Sequence, residues 1–295
     1  MTASAFLFCA DPLASRRVDP HFGEQARAVR DLDGTVVLID HDALLAGDAV
    51  AAVRRVPQGA GPLWYRGWMI PADQYEDLAV ALAVRGAGLL TSPADYRRAH
   101  ELPGWYAVFA DVTPRSVWLP WTPGRVPTTA EAARLLGPLG TGPAIAKDYV
   151  KSRKHEWAEA CYIPDSGDVA HATRVLAAMV ALQDDYLQGG LVVRAYEDFG
   201  AADGDGVGAE ARVWWVGGRP VLVSAHPDTP GAAPSPDLTQ IAPLVRRLGC
   251  PFVTTDVALR ADGVWRVVEV GDGQVSDLPD GIDPAGLIAA LAEWA

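Results

Sequence analysis

Two short hairpins constrain this 295-residue chain more than any other feature. "EARVWWVGGRPVLVSA" carries a Gly-Gly turn and "FVTTDVALRADGVWRVVEV" an Asp-Gly turn, each flanked by β-branched and aromatic residues. With Asp262-Gly263 as a two-residue loop, paired positions sum to 525 and Asp256 falls opposite Glu269 on one face. Opposed residues lie roughly 4.5–5.5 Å apart at Cβ, where like charges repel. Two facing carboxylates in apolar strands need a shared proton or a cation, and an all-oxygen pair suits Mg²⁺ completed by phosphate oxygens. On this reading, removing either acid relieves repulsion and leaves the fold intact. The bland alternative starts the strand at a solvated Asp256 and pairs Glu269 with Arg260.

The rest of the chain supplies cations. Lys147 interrupts the buried-looking strand "AIAKDYV" and needs an anionic partner, either a ligand or a strand-end salt bridge. "KSRKHEW" (Lys151–Trp157) follows, a basic loop in a protein of net charge −12, readable as solvated or as a phosphate cover that includes Lys151 and Ser152. Arg194 lies inside the strand "LVVRAY". Glu210 and Arg212 share a face of "EARVWW". Two strand arginines, one strand lysine and two acids can hold a magnesium nucleotide.

Strand and helix signals alternate over the first 120 or so residues: strands at Ala5–Phe8, Thr35–Asp40 and Pro62–Gly67, a helical pattern at Asp73–Arg85, and a Ser92-Pro93 helix start leading toward His100. This predicts a small parallel sheet. The segment "PWTPGRVPTTAE" reads as a linker. Beyond it come a helix at Ala130–Leu136 and a longer one from about Val169 to Gln188, with Val175, Met179, Leu182 and Tyr186 as its apolar face. A further helix spans roughly Pro236 to Leu248. The expected organisation is an α/β N-terminal domain over 1–122 and a two-lobed domain over 123–295, with lobes at about 128–190 and 191–295.

Net negative charge argues against a nucleic-acid partner. Cys9, Cys161 and Cys250 are far apart and odd in number, which suits reduced buried thiols. "MTASAFLFCADPL" lacks a basic leader and "LAVALAVRGAGLL" is interrupted by Arg85 and glycines, so no membrane partner and a cytoplasmic protein are expected. "GDGVG" (Gly204–Gly208) opens no helix and reads as a mobile loop between strands. No nucleophile elbow is present. Trp64–Trp68 is an aromatic and basic cluster at a strand end, suited to ligand binding or to packing.

The order of "AKDYVKSRKHEW", "GGLVVRAYEDF", "EARVWWVGGRPV" and "DVALRADGVWRVVEVGDGQ", over about Thr128 to Leu278, resembles the ATP-grasp superfamily, in particular its clade named for two arginines and one lysine. The resemblance implies an α+β ATP-grasp fold behind a parallel-sheet pre-ATP-grasp domain. It implies ATP and Mg²⁺ as cofactors, Lys147 on the phosphates, and the Lys151–His155 loop closing over them. Glu197 follows an adenine hinge and would meet the ribose. Arg194 and Arg212 would serve the γ-phosphate and an acyl phosphate. Asp256 and Glu269 would hold the metal. Many relatives carry an Asn two residues after the second acid. Gly271 stands there instead, leaving Asp272 as the substitute ligand. The implied activity is carboxylate–amine ligation on small-molecule carboxylate and amine substrates, by a monomer or homodimer. The alternatives are a phosphotransferase or a nucleotide-binding module without turnover.

Overall fold

The computed structural model describes residues 4–200, 209–226 and 234–295; the "GDGVG" stretch lies outside them. The described strands are, in chain order, β1 (Ala5–Asp11), β2 (Ala14–Val18), β3 (Thr35–Ile39), β4 (Gly61–Arg66), β5 (Ala87–Leu89), β6 (Ser116–Pro120) and β7 (Ala144–Lys147). They continue with β8 (Tyr162–Ile163), β9 (Gly190–Ala195), β10 (Glu210–Val216), β11 (Arg219–Ala225), β12 (Phe252–Leu259) and β13 (Trp265–Asp272). The fold is mixed α/β, with parallel and antiparallel sheets, as expected.

The chain divides into two compact units, each assembled from separated segments. Unit 1 comprises Met1–His100, Ala209–Val257 and Glu269–Ala295; unit 2 comprises Glu101–Gly208 and Ala258–Val268. This division differs from the expected boundary at 122, which falls inside unit 2. The proline-rich segment is not a free linker. Trp121 is buried, donates its indole N–H to the Arg125 carbonyl, and lies under the Arg125 guanidinium. That packing turns the chain from β6 into the helix Thr129–Leu136, which Thr128 and Glu131 cap reciprocally.

In unit 1, β1 pairs in parallel with β3 and β4, and β4 with β5, while β2 folds back antiparallel on β1. A second sheet runs β11-β10-β12-β13. Both contribute to one core, in which Phe6, Phe8 and Trp64 join Trp214, Phe252 and Leu287. The Trp64–Trp68 cluster is mainly packing. Trp64 and Tyr65 are fully buried, and Trp64 donates to the Leu291 carbonyl at 2.9 Å. Gly217 and Gly218 both have positive φ (56° and 74°), closing β10–β11 as the Gly-Gly signal predicts.

The Asp-Gly hairpin departs from expectation at its turn. Arg260 N–H bonds the Val264 carbonyl at 3.0 Å and Gly263 N–H bonds the Arg260 carbonyl at 2.8 Å, with Gly263 at φ 81°. The loop is therefore three residues, Ala261–Gly263, with glycine in the left-handed position that starts a bulge. Pairing at the turn sums to 524, whereas at the far end of the strands Gly273 N–H bonds the Phe252 carbonyl at 3.1 Å, the expected sum of 525.

Unit 2 holds an antiparallel sheet, β6-β9-β7-β8, covered by Thr129–Leu136 and Val169–Gln183. β9, expected in the second lobe, sits between β6 and β7. The long helix stops at Gln183, where Asp184 adopts φ 47°. Consequently Tyr186, expected on the apolar face, is 83% exposed, and Ala172, Val175, Leu176, Met179 and Val180 form the buried stripe. The helix after β11 spans Ile241–Leu248, shorter at its start than expected. All three cysteines are free and buried. No helix among the described residues is long and apolar enough to cross a membrane.

Candidate functional site

In unit 1, neighbouring strands β10 and β12 bring Arg212 and Asp256 together. The guanidinium grips the carboxylate at two points, Nε–Oδ1 and Nη2–Oδ2, each 2.8 Å. Its Nη1 donates to the Asp277 carbonyl at 3.1 Å. His226 completes the cluster, with Nε2 3.3 Å from Asp256 Oδ2 and Nδ1 3.9 Å from Glu210 Oε2. Glu210 thus faces His226, whereas the expectation made it the orienting partner of Arg212; Asp256 takes that part.

Electrostatics follow from this contact. Burial alone would push the Asp256 carboxyl up, but the Arg212 charge, its hydrogen bonds and His226 hold it well below the ordinary range. Burial likewise disfavours charged Arg212, yet Asp256, Glu269 and Asp277 together push its pKa up. On His226, burial is outweighed by Asp256 and Glu210, which raise its pKa. Asp256 and Glu269 therefore act on the same guanidinium, which stands where the sequence reading invoked a cation.

Asp272 is elsewhere. Residues three apart in a strand point to opposite faces. Asp272 shares the buried face with Val270, away from Glu269 and Gly271. Its Oδ1 accepts from the backbone and side chain of Gln274, at 2.9 and 3.0 Å, and its buried Oδ2 has no partner. Desolvation raises its pKa to about 7. Asp272 cannot substitute for a ligand beside Glu269. The space at Gly271 is also filled: an added Cβ would meet Thr254 Oγ1 at 3.1 Å and Ser276 Oγ at 3.4 Å, and these two hydroxyls bond each other at 2.7 Å. Among the described residues no group of three or more His, Cys, Asp or Glu side chains could cage a metal. Asp256 and Glu269 are hard oxygen donors, and further ligands for Mg²⁺ would be phosphate oxygens and water.

In unit 2, Lys147 ends β7 nearly buried, at 7% exposure, and bridges to Ser152. Asp148, which sequence reasoning passed over, builds the turn between them. Its Oδ1 accepts from Val150 N–H at 2.7 Å and Lys151 N–H at 2.5 Å; its Oδ2 accepts from Gln183 Nε2 and Gln188 N–H. The turn sets Lys147, Lys151 and Ser152 beside one another in the chain's tightest basic segment.

A cavity of about 360 Å³ is lined by Ile145, Trp157, Val268 and the run Arg194–Gly200 that leaves β9. Trp157 opens a π-helical turn, stacks on Tyr162 (5.2 Å, 13°) and meets Tyr196 edge-on at 6.3 Å. The Arg194 guanidinium also donates to Thr113 Oγ1 and the Val268 carbonyl, and Trp105 lies 5.9 Å away. Glu197 is gripped by Arg266, with Nε–Oε2 2.9 Å and Nη2–Oε1 2.8 Å.

His226, Asp148, Trp157 and Arg266 were missed. Counting back from the Gly-Gly turn would have set Ala225 opposite Glu210; a register shift between Trp214 and Trp215 pairs Ala211 with Ala225 and brings His226 to Glu210. Another cavity, of about 470 Å³, lies at the ends of β1 and β3, with Asp11, Asp19, Asp40, Asp42 and Trp68 in its lining.

A family model described as the ATP-grasp domain, family 3 of the clade named for two arginines and one lysine, matches residues 136–291, more than half of the chain. No curated protein matches. Among solved structures, D-cycloserine synthetase DcsG aligns with TM-score 0.61 at 15% identity, covering 98% of this chain and 99% of that one. A RimK domain ATP-grasp protein from Sphaerobacter thermophilus aligns at 0.60 and 15%, covering 99% and 100%. The ATP-grasp ligase PsnB, complexed with a minimal precursor, Mg and ADP, aligns at 0.56 and 13%, covering 100% and 98%. At these identities the likeness is one of fold.

Proposed function

The chain belongs to the ATP-grasp family, in family 3 of its two-arginine, one-lysine clade, and from that premise we propose that it is an ATP-dependent ligase joining a carboxylate to an amine. The observation that carries the reading is the two-point grip of Arg212 on Asp256, with Glu269 acting on the same guanidinium. Burying these charges is costly. Their chemistry suits a transferring phosphoryl group.

The cavity in unit 2 takes the adenosine, with Trp157 offering a stacking face and Glu197 at the ribose. Lys147, Lys151 and Ser152 hold phosphate oxygens. Asp256 and Glu269 would hold Mg²⁺, which when bound neutralises phosphate charge. Arg194 lines the cavity and adds positive charge to the phosphate end.

A substrate carboxylate oxygen then attacks the γ-phosphorus, the bond to the bridging oxygen breaks, and ADP leaves. Arg212 stabilises negative charge on the acyl phosphate so formed. The amine nitrogen attacks the acyl carbon, its proton passes to solvent, and phosphate departs. A rigid fork serves this better than a flexible ammonium.

The test is ADP release with a panel of carboxylic acids and amino-acid or peptide-like amines, followed by mass analysis. Equimolar ADP and amide product is the expected result. ADP with a phosphorylated product and no amide would make the protein a phosphotransferase. ATP binding without ADP under every pairing would make it a binding module.

A further inference from the structure

Glu197 does not stand alone at the cavity wall. Arg266 grips both of its oxygens, at 2.9 and 2.8 Å, and Arg260 Nη1 lies 3.5 Å from Oε2. The same Arg266 donates through Nη1 to the Asp111 carbonyl and through Nη2 to the Thr113 carbonyl, both at 2.8 Å. All three guanidinium nitrogens are therefore committed within unit 2, and the side chain is only 14% exposed. Its reach joins the hinge after β9, the loop before β6 and β13. Arg266 is not among the cavity-lining residues, whereas Glu197 is. Whatever Arg266 does for a ligand, it does through Glu197.

A carboxylate offers about four acceptor positions. A two-point guanidinium fork uses two, and it fixes the carboxylate plane against rotation. The remaining positions then have a fixed direction, which a glutamate on an irregular segment would otherwise lack. Two neighbouring hydroxyls that donate to such an acceptor gain from its being held in advance, because no rotamers are lost on binding.

We propose that Arg266 is a positioning residue that makes this cavity selective for ribonucleotides: it holds Glu197 so that its outward lone pairs receive the ribose 2′ and 3′ hydroxyls. The inference rests on the nucleotide reading of the cavity. Arg260, also paired with Asp262 at the exposed hairpin turn, is the weaker second anchor.

The experiment is calorimetric binding of ATP, 2′-deoxy-ATP and 3′-deoxy-ATP to the full-length protein and to Arg266→Gln. The wild type should prefer ATP over each deoxy analogue by about tenfold, the worth of one hydrogen bond to a charged acceptor. In Arg266→Gln the preference should shrink to about twofold or less. A merely structural Arg266 would weaken all three nucleotides alike and leave the ratio near tenfold, which would overturn the inference. A wild type that binds ATP and both analogues equally would overturn it too. A wild type that binds no ATP sinks the nucleotide reading itself, a distinct result. If Arg266→Gln fails to fold, Arg266→Lys carries the same criterion. Its single ammonium keeps the charge but cannot grip both oxygens, so its preference should also fall.

Discussion

In unit 1 Asp256 is buried, Arg212 is largely so, and the two satisfy each other at two points, with His226 closing on the carboxylate. In unit 2 the aromatic residues Trp157 and Tyr196, 40% and 38% exposed, border an open cavity, and Lys147 is carried on a turn pinned by Asp148. Unit 1 stores its charges against one another; unit 2 displays surface to an incoming molecule. A preformed cavity binds without internal rearrangement, whereas a closed ion pair must exchange one partner for another before it acts on a ligand. The contrast can be broken at several points, with effects of decreasing size.

The largest effect belongs to Asp256. Facing acids alone would make Asp256→Asn harmless or stabilising. With Arg212 gripping that carboxylate, the substitution leaves a buried guanidinium without its counter-charge, and such losses cost about 3–5 kcal/mol. Urea unfolding should show the midpoint falling steeply, alongside lost turnover. An unchanged midpoint would mean that Arg212 readily finds another partner, and the picture of unit 1 as a closed store of charge would fail.

Next is Asp272, whose folded pKa of about 7 lies above its ordinary value of 3.8 because of desolvation. The sign follows from linkage. A group with a raised folded pKa contributes stability that is fully present below its unfolded pKa and is lost as pH rises through the folded one. The wild type should therefore lose stability between about pH 4 and pH 7 relative to Asp272→Asn, which keeps an oxygen for Gln274. The difference at pH 8 should be on the order of 3 kcal/mol. Parallel pH profiles for the two proteins would show that Asp272 does not titrate there.

Lys147→Ala comes third. Loss of a charge-assisted phosphate contact should weaken ATP by about 2 kcal/mol in calorimetry. The unfolding midpoint should move less than in Asp256→Asn. The reverse pattern, intact affinity with a lowered midpoint, would make Lys147 an internal partner like Arg212.

How far the sequence reveals this contrast depends on which physical signal each residue leaves. The strands β1, β3, β4, β7 and β9 to β13 and both hairpins are local chemistry and are legible, as are Lys147 and Arg212 as charges within apolar runs. The three-residue loop at Asp262 is not, because Asp-Gly suits both a two-residue turn and the start of a bulge. The exclusion of Asp272 was legible, since three residues along a strand reverse its face; the resemblance outweighed that parity. The two-unit division was not, because β9 and β10, adjacent in sequence, find their partners in different units through long-range pairing. Arg266 and Glu197, 69 residues apart, leave no local trace of each other.

The smallest effect tests the open side of the comparison. Trp157 stacks on Tyr162 and lines the cavity, and base–aromatic stacking is worth about 1–3 kcal/mol per base. Trp157 is 40% exposed and already committed on one side, so the low end applies. Trp157→Ala should weaken ATP by about 1 kcal/mol, Trp157→Phe by less, and neither should shift the unfolding midpoint appreciably. Guanine has a comparable π-face, so the loss should be similar for GTP, whatever the wild type's preference between the two. A loss confined to ATP would mean that Trp157 reads the edge of the base instead of its face. No loss for either nucleotide would remove the aromatic wall from the binding surface and leave unit 2 dependent on its lysine turn.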